Sequence, residues 1–389
     1  MLRIIFIFIF CCSFFSFSSF SNNLTALDKK LSKGIIHDLK KHNIPGAAFA
    51  IIKNNNLVLL ETFGYTDKNK TQKIDTNTVF RLASVSKPFA ATITTMLAQE
   101  KHLNLSDPIT KYIPNFLLAP KDAAKKIQLK HILSHSSGLM PNAYDNMLHE
   151  NWSMAKIIGR FNRVIPICKP GVCYGYQNIA YGFLQFAIEN SQSQNYANIL
   201  QEKLFTPLKM NNTSIGIDNF VKNKNTAKPH VLIRSKNTGK KDKNGKNIKK
   251  NIWHPVKVTP DYYKVAPAAG VNASITDLAK WLNANMGNNP EVLSPSLLAE
   301  LRIPRIKTKK DLRHRYWKKS LKDAYYGYGW RIYQFEKGTI IYHSGWVQGF
   351  RAAIGYSTER NIGFAILMNA ESNVINKISH NFWKETFKE

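Results

Sequence analysis

Between residues 24 and 42 the apolar positions Leu27, Leu31, Ile35, Ile36 and Leu39 recur at helical spacing, which predicts one amphipathic helix. The period then changes. Two β-rich runs, 47–52 and 57–63, flank Asn54-Asn55-Asn56 and predict a hairpin. An apolar stretch over 84–99 predicts a helix with Pro88 in its first turn, where a missing N–H costs little. Toward the other end, 330–335, 339–342, 350–356 and 362–367 read as strands in a meander, and 373–387 reads as a closing helix. Strands at both ends with mostly helical sequence between them predict an α/β (α+β) fold. Its antiparallel sheet would be built from both termini and flanked by helices, with a mostly helical lobe inserted. The expected division is an α/β lobe over about 24–83 and 325–389, with a helical lobe over about 84–324. Residues 222–251 are polar and basic and are expected to form a surface insertion without a core of its own.

Length and charge narrow the picture. The 389 residues, 44% apolar, can bury a large core. Met1-Leu2-Arg3, an apolar run over 4–20 and then Ser21 fit a secretory signal peptide, 1–21, ahead of a working domain over 22–389. An uncleaved membrane anchor is the alternative, and the bulky Phe10 before Cys11 argues against lipid modification there. The expected location is periplasmic or secreted. Outside the signal only Cys168 and Cys173 remain, an even count that suggests a disulfide; no metal-ligand spacing surrounds them. The net charge is +30, gathered in stretches over 222–250 and 305–322. These basic runs do not form an amphipathic helix with interleaved aromatics, so nucleic acid is not an expected partner. Solvated loops with affinity for an anionic envelope surface are the plainer reading.

Chemistry centres on Ser84-Val85-Ser86-Lys87, where residues three apart on a helix bring an amine within reach of a hydroxyl. The same spacing recurs at Ser153-Met154-Ala155-Lys156. Tyr-x-Asn occurs at Tyr144-Asp145-Asn146, Tyr176-Gln177-Asn178 and Tyr196-Ala197-Asn198. Tyr196 sits in helical apolar sequence and Tyr144 in a polar loop. Tyr176 follows the Pro170-Gly171 turn and the cysteine pair, which would stiffen the loop presenting it. His343-Ser344-Gly345 ends a β-run, where a backbone N–H can face a developing oxyanion. His135 and Asp107 read as loop and turn residues.

Taken together, these residues resemble the serine β-lactamase and penicillin-binding protein superfamily, in its class C β-lactamase and D-Ala-D-Ala carboxypeptidase branch. The likeness runs in order through Ile44-Pro45-Gly46, Phe80-Arg81-Leu82-Ala83, Leu105-Ser106-Asp107-Pro108, His131 to Leu139, Phe205-Thr206-Pro207-Leu208 and Ala268-Ala269-Gly270-Val271. That order favours Ser84 over Ser153 and Tyr176 over its rivals. The resemblance implies Ser84 as nucleophile, Lys87 as its activator and Tyr176 as proton relay. It further implies Asn178 and Asn142 on the substrate amide, the N–H groups of Ser84 and Trp346 as oxyanion hole, and His343-Ser344-Gly345 lining the substrate. No cofactor is implied. A desolvated Lys87 should have a lowered pKa, and a lysine cation should in turn lower that of Tyr176. The implied activity is hydrolysis of β-lactams or D-Ala-type peptide amides through an acyl-enzyme. Alternatives are a carboxylic-ester hydrolase and a penicillin-binding sensor that does not turn over. Histidine where class C enzymes carry Lys-Thr-Gly removes a fixed positive charge and places vigorous β-lactam hydrolysis in question.

Overall fold

The computed structural model describes residues 24–241 and 244–388; the proposed signal segment lies outside the described residues. Helix Ala26–Lys41 opens on a capping box in which Thr25 accepts from Asp28 N and the Asp28 carboxylate receives the Thr25 N–H. Its buried stripe, Leu31, Ile35 and Leu39, is the one the periodicity predicts. The hairpin follows as Gly46–Lys53 and Asn56–Gly64. Asn54 and Asn55 carry its turn at positive φ (49° and 66°), a conformation asparagine tolerates better than most residues.

Eight antiparallel strands form the main sheet. Their spatial order is Asn56–Gly64, Gly46–Lys53, Ile362–Met368, Phe350–Ser357, Gly338–Val347, Arg331–Phe335, Asp323–Tyr326 and Ile306–Lys307. Strands from the two ends of the chain pair in register as the second and third of the sheet, where Ala47 faces Met368 and Ala50 faces Ala365. Because side chains alternate across a strand, Ala47, Phe49 and Ile51 pack with the first helix and the last, Val374–Thr386. Ala48, Ala50 and Ile52 instead face the helical region, which contributes Trp281 and Leu282. Neither face of these two strands is left to solvent.

Three boundaries depart from the sequence reading. The Gly338–Val347 strand runs past the expected 339–342, so His343 to Trp346 lie within it rather than beyond its end. The helix expected over 84–99 begins at Ser86, preceded by a 3-10 turn over Ala83–Val85 in which Ala83 takes a positive φ of 50°. The basic segment is not shapeless: His230–Lys241 and Asn247–Pro255 pair as a two-stranded hairpin. Among the described residues no helix is long and apolar enough to cross a membrane.

Candidate active site

Ser84 sits half-buried at the turn before helix Ser86–Gln99. A positive φ at Ala83, a residue with a Cβ, is backbone strain stored next to the hydroxyl. Two neighbouring segments fix this turn. The Ser86 hydroxyl accepts from Val271 N at 2.9 Å, and Gly345 lies so close that a Cβ there would stand 2.1 Å from the Leu82 carbonyl oxygen. Only glycine allows the strand carrying Trp346 to approach so closely.

Lys87 is fully buried and spends all three ammonium donors. It donates to Ser84 Oγ at 3.3 Å, Asn178 Oδ1 at 2.8 Å and the Ala268 carbonyl at 3.2 Å. Its Nζ also lies 4.6 Å from the centroid of the Tyr176 ring. Burial pushes the Lys87 pKa well below its ordinary value; the Asp145 carboxylate opposes the shift and Arg331 adds to it. The Tyr176 phenol lies near the Ser84 hydroxyl, which acts to lower its pKa. That pKa is raised, not lowered as expected: burial of the phenol outweighs the opposing influence of Arg331 and of that hydroxyl. Burial therefore favours a neutral amine and a neutral phenol on either side of the serine.

The loop carrying Tyr176 is clasped by the Cys168–Cys173 disulfide, and backbone bonds add to that clasp. Gly171 N reaches the Ser136 carbonyl at 2.7 Å, Gly175 N reaches that of His135 at 2.8 Å, and Asn142 N reaches that of Tyr176 at 2.8 Å. Asn142 is exposed beside Tyr176, on the wall of a cavity of about 610 Å³ that also includes Tyr174, Lys309, Lys310 and Arg331. His343 is fully buried, its ring held by the Tyr326 hydroxyl at 2.9 Å, and burial with the nearby Arg331 and Lys87 charges drives its pKa well below the usual value. It is neutral and turned away from solvent. Ser344 is half-buried, and Trp346 is 57% exposed with the Arg351 guanidinium over its ring.

The rivals are placed elsewhere. Ser153 is an N-cap, accepting from Lys156 N at 3.3 Å, and Lys156 is exposed. Tyr196 is a packed aromatic, and the Tyr144 hydroxyl donates to the Arg160 carbonyl. Asp107 closes a turn with Asn104, Lys111 and Tyr112. His135 is buried with its ring centroid 4.2 Å from that of Tyr176, behind the phenol. Two neighbours went unrecognised in the sequence. Asp145, half-buried in the discarded Tyr144-Asp145-Asn146, accepts from Asn178 Nδ2 at 2.7 Å. Arg331, ion-paired to Asp311 at 2.5 Å, stands over the Tyr176 and Tyr326 rings. Among the described residues no cluster of three or more potential metal ligands occurs.

Residues 30–379 match the family model described as Beta-lactamase. The Staphylococcus aureus protein "Protein flp" is 27% identical over 346 residues, spanning 88% of this chain and 63% of that protein. The chain thus spans less than two thirds of that relative's length. "Penicillin-binding protein 4*" of Bacillus subtilis is 27% identical over 184 residues, 45% of this chain and 39% of that protein. The solved structure of the octameric penicillin-binding protein homologue from Pyrococcus abyssi superposes with a TM-score of 0.72 at 24% identity, covering 90% of this chain and 75% of that one.

Proposed function

The chain belongs to the β-lactamase family, within the serine β-lactamase and penicillin-binding protein superfamily, and from that premise we propose that it is a serine hydrolase acting through an acyl-enzyme on Ser84. The observation that carries this reading is the buried Lys87 amine, which has Ser84 Oγ as one of its three acceptors. A neutral Lys87 takes the Ser84 proton as Oγ bonds to the substrate carbonyl carbon. The carbonyl oxygen gains charge toward the N–H groups of Ser84 and Trp346. The neutral Tyr176 phenol then gives its proton to the leaving nitrogen or oxygen, and the Lys87 ammonium returns one to the phenolate as the carbonyl-to-leaving-group bond breaks. Water reverses these transfers: it loses a proton through Tyr176, attacks the acyl carbon and releases Ser84 protonated.

Asn142 is suited to the substrate amide because it is exposed beside Tyr176, whereas Asn178 spends its side chain on Lys87 and Asp145. Substrates of the reading are β-lactams, D-Ala-type peptide amides or small carboxylic esters, and no cofactor enters the steps. Export, to a periplasm or beyond the cell, is part of the proposal and is supported by the disulfide, which persists in oxidising compartments. The test is a panel of nitrocefin, a D-Ala-D-Ala peptide and a short-chain aryl ester, with fluorescent-penicillin labelling alongside. Turnover of one class, lost in Ser84→Ala and kept in Ser153→Ala, is the expected result. Labelling without turnover selects the sensor reading, and equal loss in the two variants refutes the site.

A further inference from the structure

Away from the nucleophile, the basic hairpin overhangs a second concavity. Its volume is about 800 Å³, and its walls come from the end of the first helix (Lys40), the segment after the first hairpin (Lys68, Lys70) and the basic hairpin itself (Lys236, Lys250). The apolar lining includes Phe63, Tyr65 and Trp253. This is a built cavity. Asn251 Nδ2 and Trp253 Nε1 both donate to the His42 carbonyl at 3.2 Å, latching one hairpin strand to the first helix. The buried His230 ring, seated on the Asn369 carbonyl and accepting from Lys68 N, pins the other strand to the main sheet.

Its charges are unbalanced. A minority of the protein's lysines, eight among the described residues, have a carboxylate within ion-pair distance, as Lys30 has Glu385 and Lys377 has Asp38. None of the five cleft lysines does; Lys70 instead sits 5.7 Å from the Tyr65 ring. The lining acid, Asp67, is engaged by Thr71. Lys236 and Lys250 stand directly opposite one another in the hairpin register, an arrangement of like charges that disfavours the pairing unless an anion lies between. Arg234, two residues from Lys236 and so on the same face, continues the positive strip along the hairpin.

We propose that this cleft binds a flexible anionic polymer whose phosphate or carboxylate groups are spaced along its chain. A single small anion can neutralise one lysine pair but not cations on three separate walls. A planar bilayer meets the outer face of the hairpin and cannot reach both sides of a concavity together. Trp253 is only 7% exposed, so the cleft offers no open indole platform for nucleobases. The site is independent of Ser84 and would hold a polymer on this face of the protein whatever bond the serine attacks.

The test is a titration of the full chain with short polyphosphate and with poly-L-glutamate of matched length, over a salt series, read by calorimetry. Saturable binding that weakens steeply with salt is expected, and the tighter of the two polymers tells phosphate from carboxylate. Lys236→Glu with Lys250→Glu should weaken binding by about tenfold or more. Lys68→Gln with Lys70→Gln, on the opposite wall, should weaken it several-fold without touching the hairpin. Lys125→Glu with Lys126→Glu, which line no part of the cleft, should change it less than about twofold. Thermal melting of each variant reports on folding. Equal losses in the cleft and control variants would reduce the effect to net charge and overturn the proposal. So would tighter binding to a single-stranded oligonucleotide or to phosphatidylglycerol vesicles than to either polymer.

Discussion

Asn178 turns its amide oxygen to the Lys87 ammonium at 2.8 Å. The Asp145 carboxylate can only accept, so the Asn178 nitrogen faces it at 2.7 Å and the amide oxygen is left to Lys87. A neutral amide thus joins a buried amine to a half-buried carboxylate. Burial raises the Asp145 pKa while it lowers that of Lys87, so the two groups compete over charge within one network.

Asp145→Asn keeps the shape and removes the charge. In the native site the Asp145 carboxylate raises the Lys87 pKa against burial; His149, Tyr262 and Asp261 are the other titratable groups around that carboxylate. Without it Lys87 loses its proton at lower pH, so the acid limb of kcat/KM should move to lower pH by about one unit. A uniform fall in rate with an unmoved limb would show that Asp145 merely holds Asn178 in place.

Gly345→Ala drives a methyl to 2.1 Å from the Leu82 oxygen and 3.1 Å from Ser84 N. The strand must retreat from the nucleophile turn and carry the Trp346 N–H with it. Acylation should fall by about 100-fold, with a stability loss of about 1–3 kcal/mol. Gly159→Ala is the matched control: nothing lies within 4 Å, the residue is helical, and a gain of about 0.5–1 kcal/mol in thermal melting is expected.

Period and turn chemistry made the sheet legible, because a half-buried strand and an amphipathic helix must each show one apolar face. Asn54 and Asn55 likewise announced their turn. The His230–Lys241 and Asn247–Pro255 pairing was hidden: lysines on both faces leave no alternation to read, and its anchors, His230, Asn251 and Trp253, are too few to show a period. Ser84, Lys87 and Tyr176 stood out by spacing and order, whereas Asp145 and Arg331 act through neighbours far away in sequence. Asp145 is 33 residues from Asn178, and no local pattern reports such a contact.

The disulfide is expected to contribute stability more than alignment. Cys168→Ser with Cys173→Ser opens a short loop and should cost about 2 kcal/mol in denaturant unfolding. The backbone bonds from Gly171, Gly175 and Asn142 still tie the Tyr176 loop to the Ser136 and His135 carbonyls and to the 142 turn. Labelling of Ser84 should therefore change less than about threefold under native conditions. A larger loss would make the disulfide a positioning element for Tyr176.

Arg331 stands as a cation over the Tyr176 ring, where the buried His343 carries no charge. His343 is buried and neutral, so the fixed cation beside Tyr176 comes from the neighbouring strand, on the wall of the cavity that also holds Asn142, Lys309 and Lys310. Arg331→Gln should raise KM about tenfold for substrates bearing a carboxylate and leave KM for a neutral aryl ester nearly unchanged. Asp311→Asn should act in the opposite sense, since it frees the guanidinium from its 2.5 Å ion pair and leaves it open to substrate. Parallel losses for charged and neutral substrates in both variants would mean that the Arg331–Asp311 pair only supports the Tyr174 and Tyr176 rings. Opposite shifts confined to the charged substrates place the guanidinium on the substrate carboxylate.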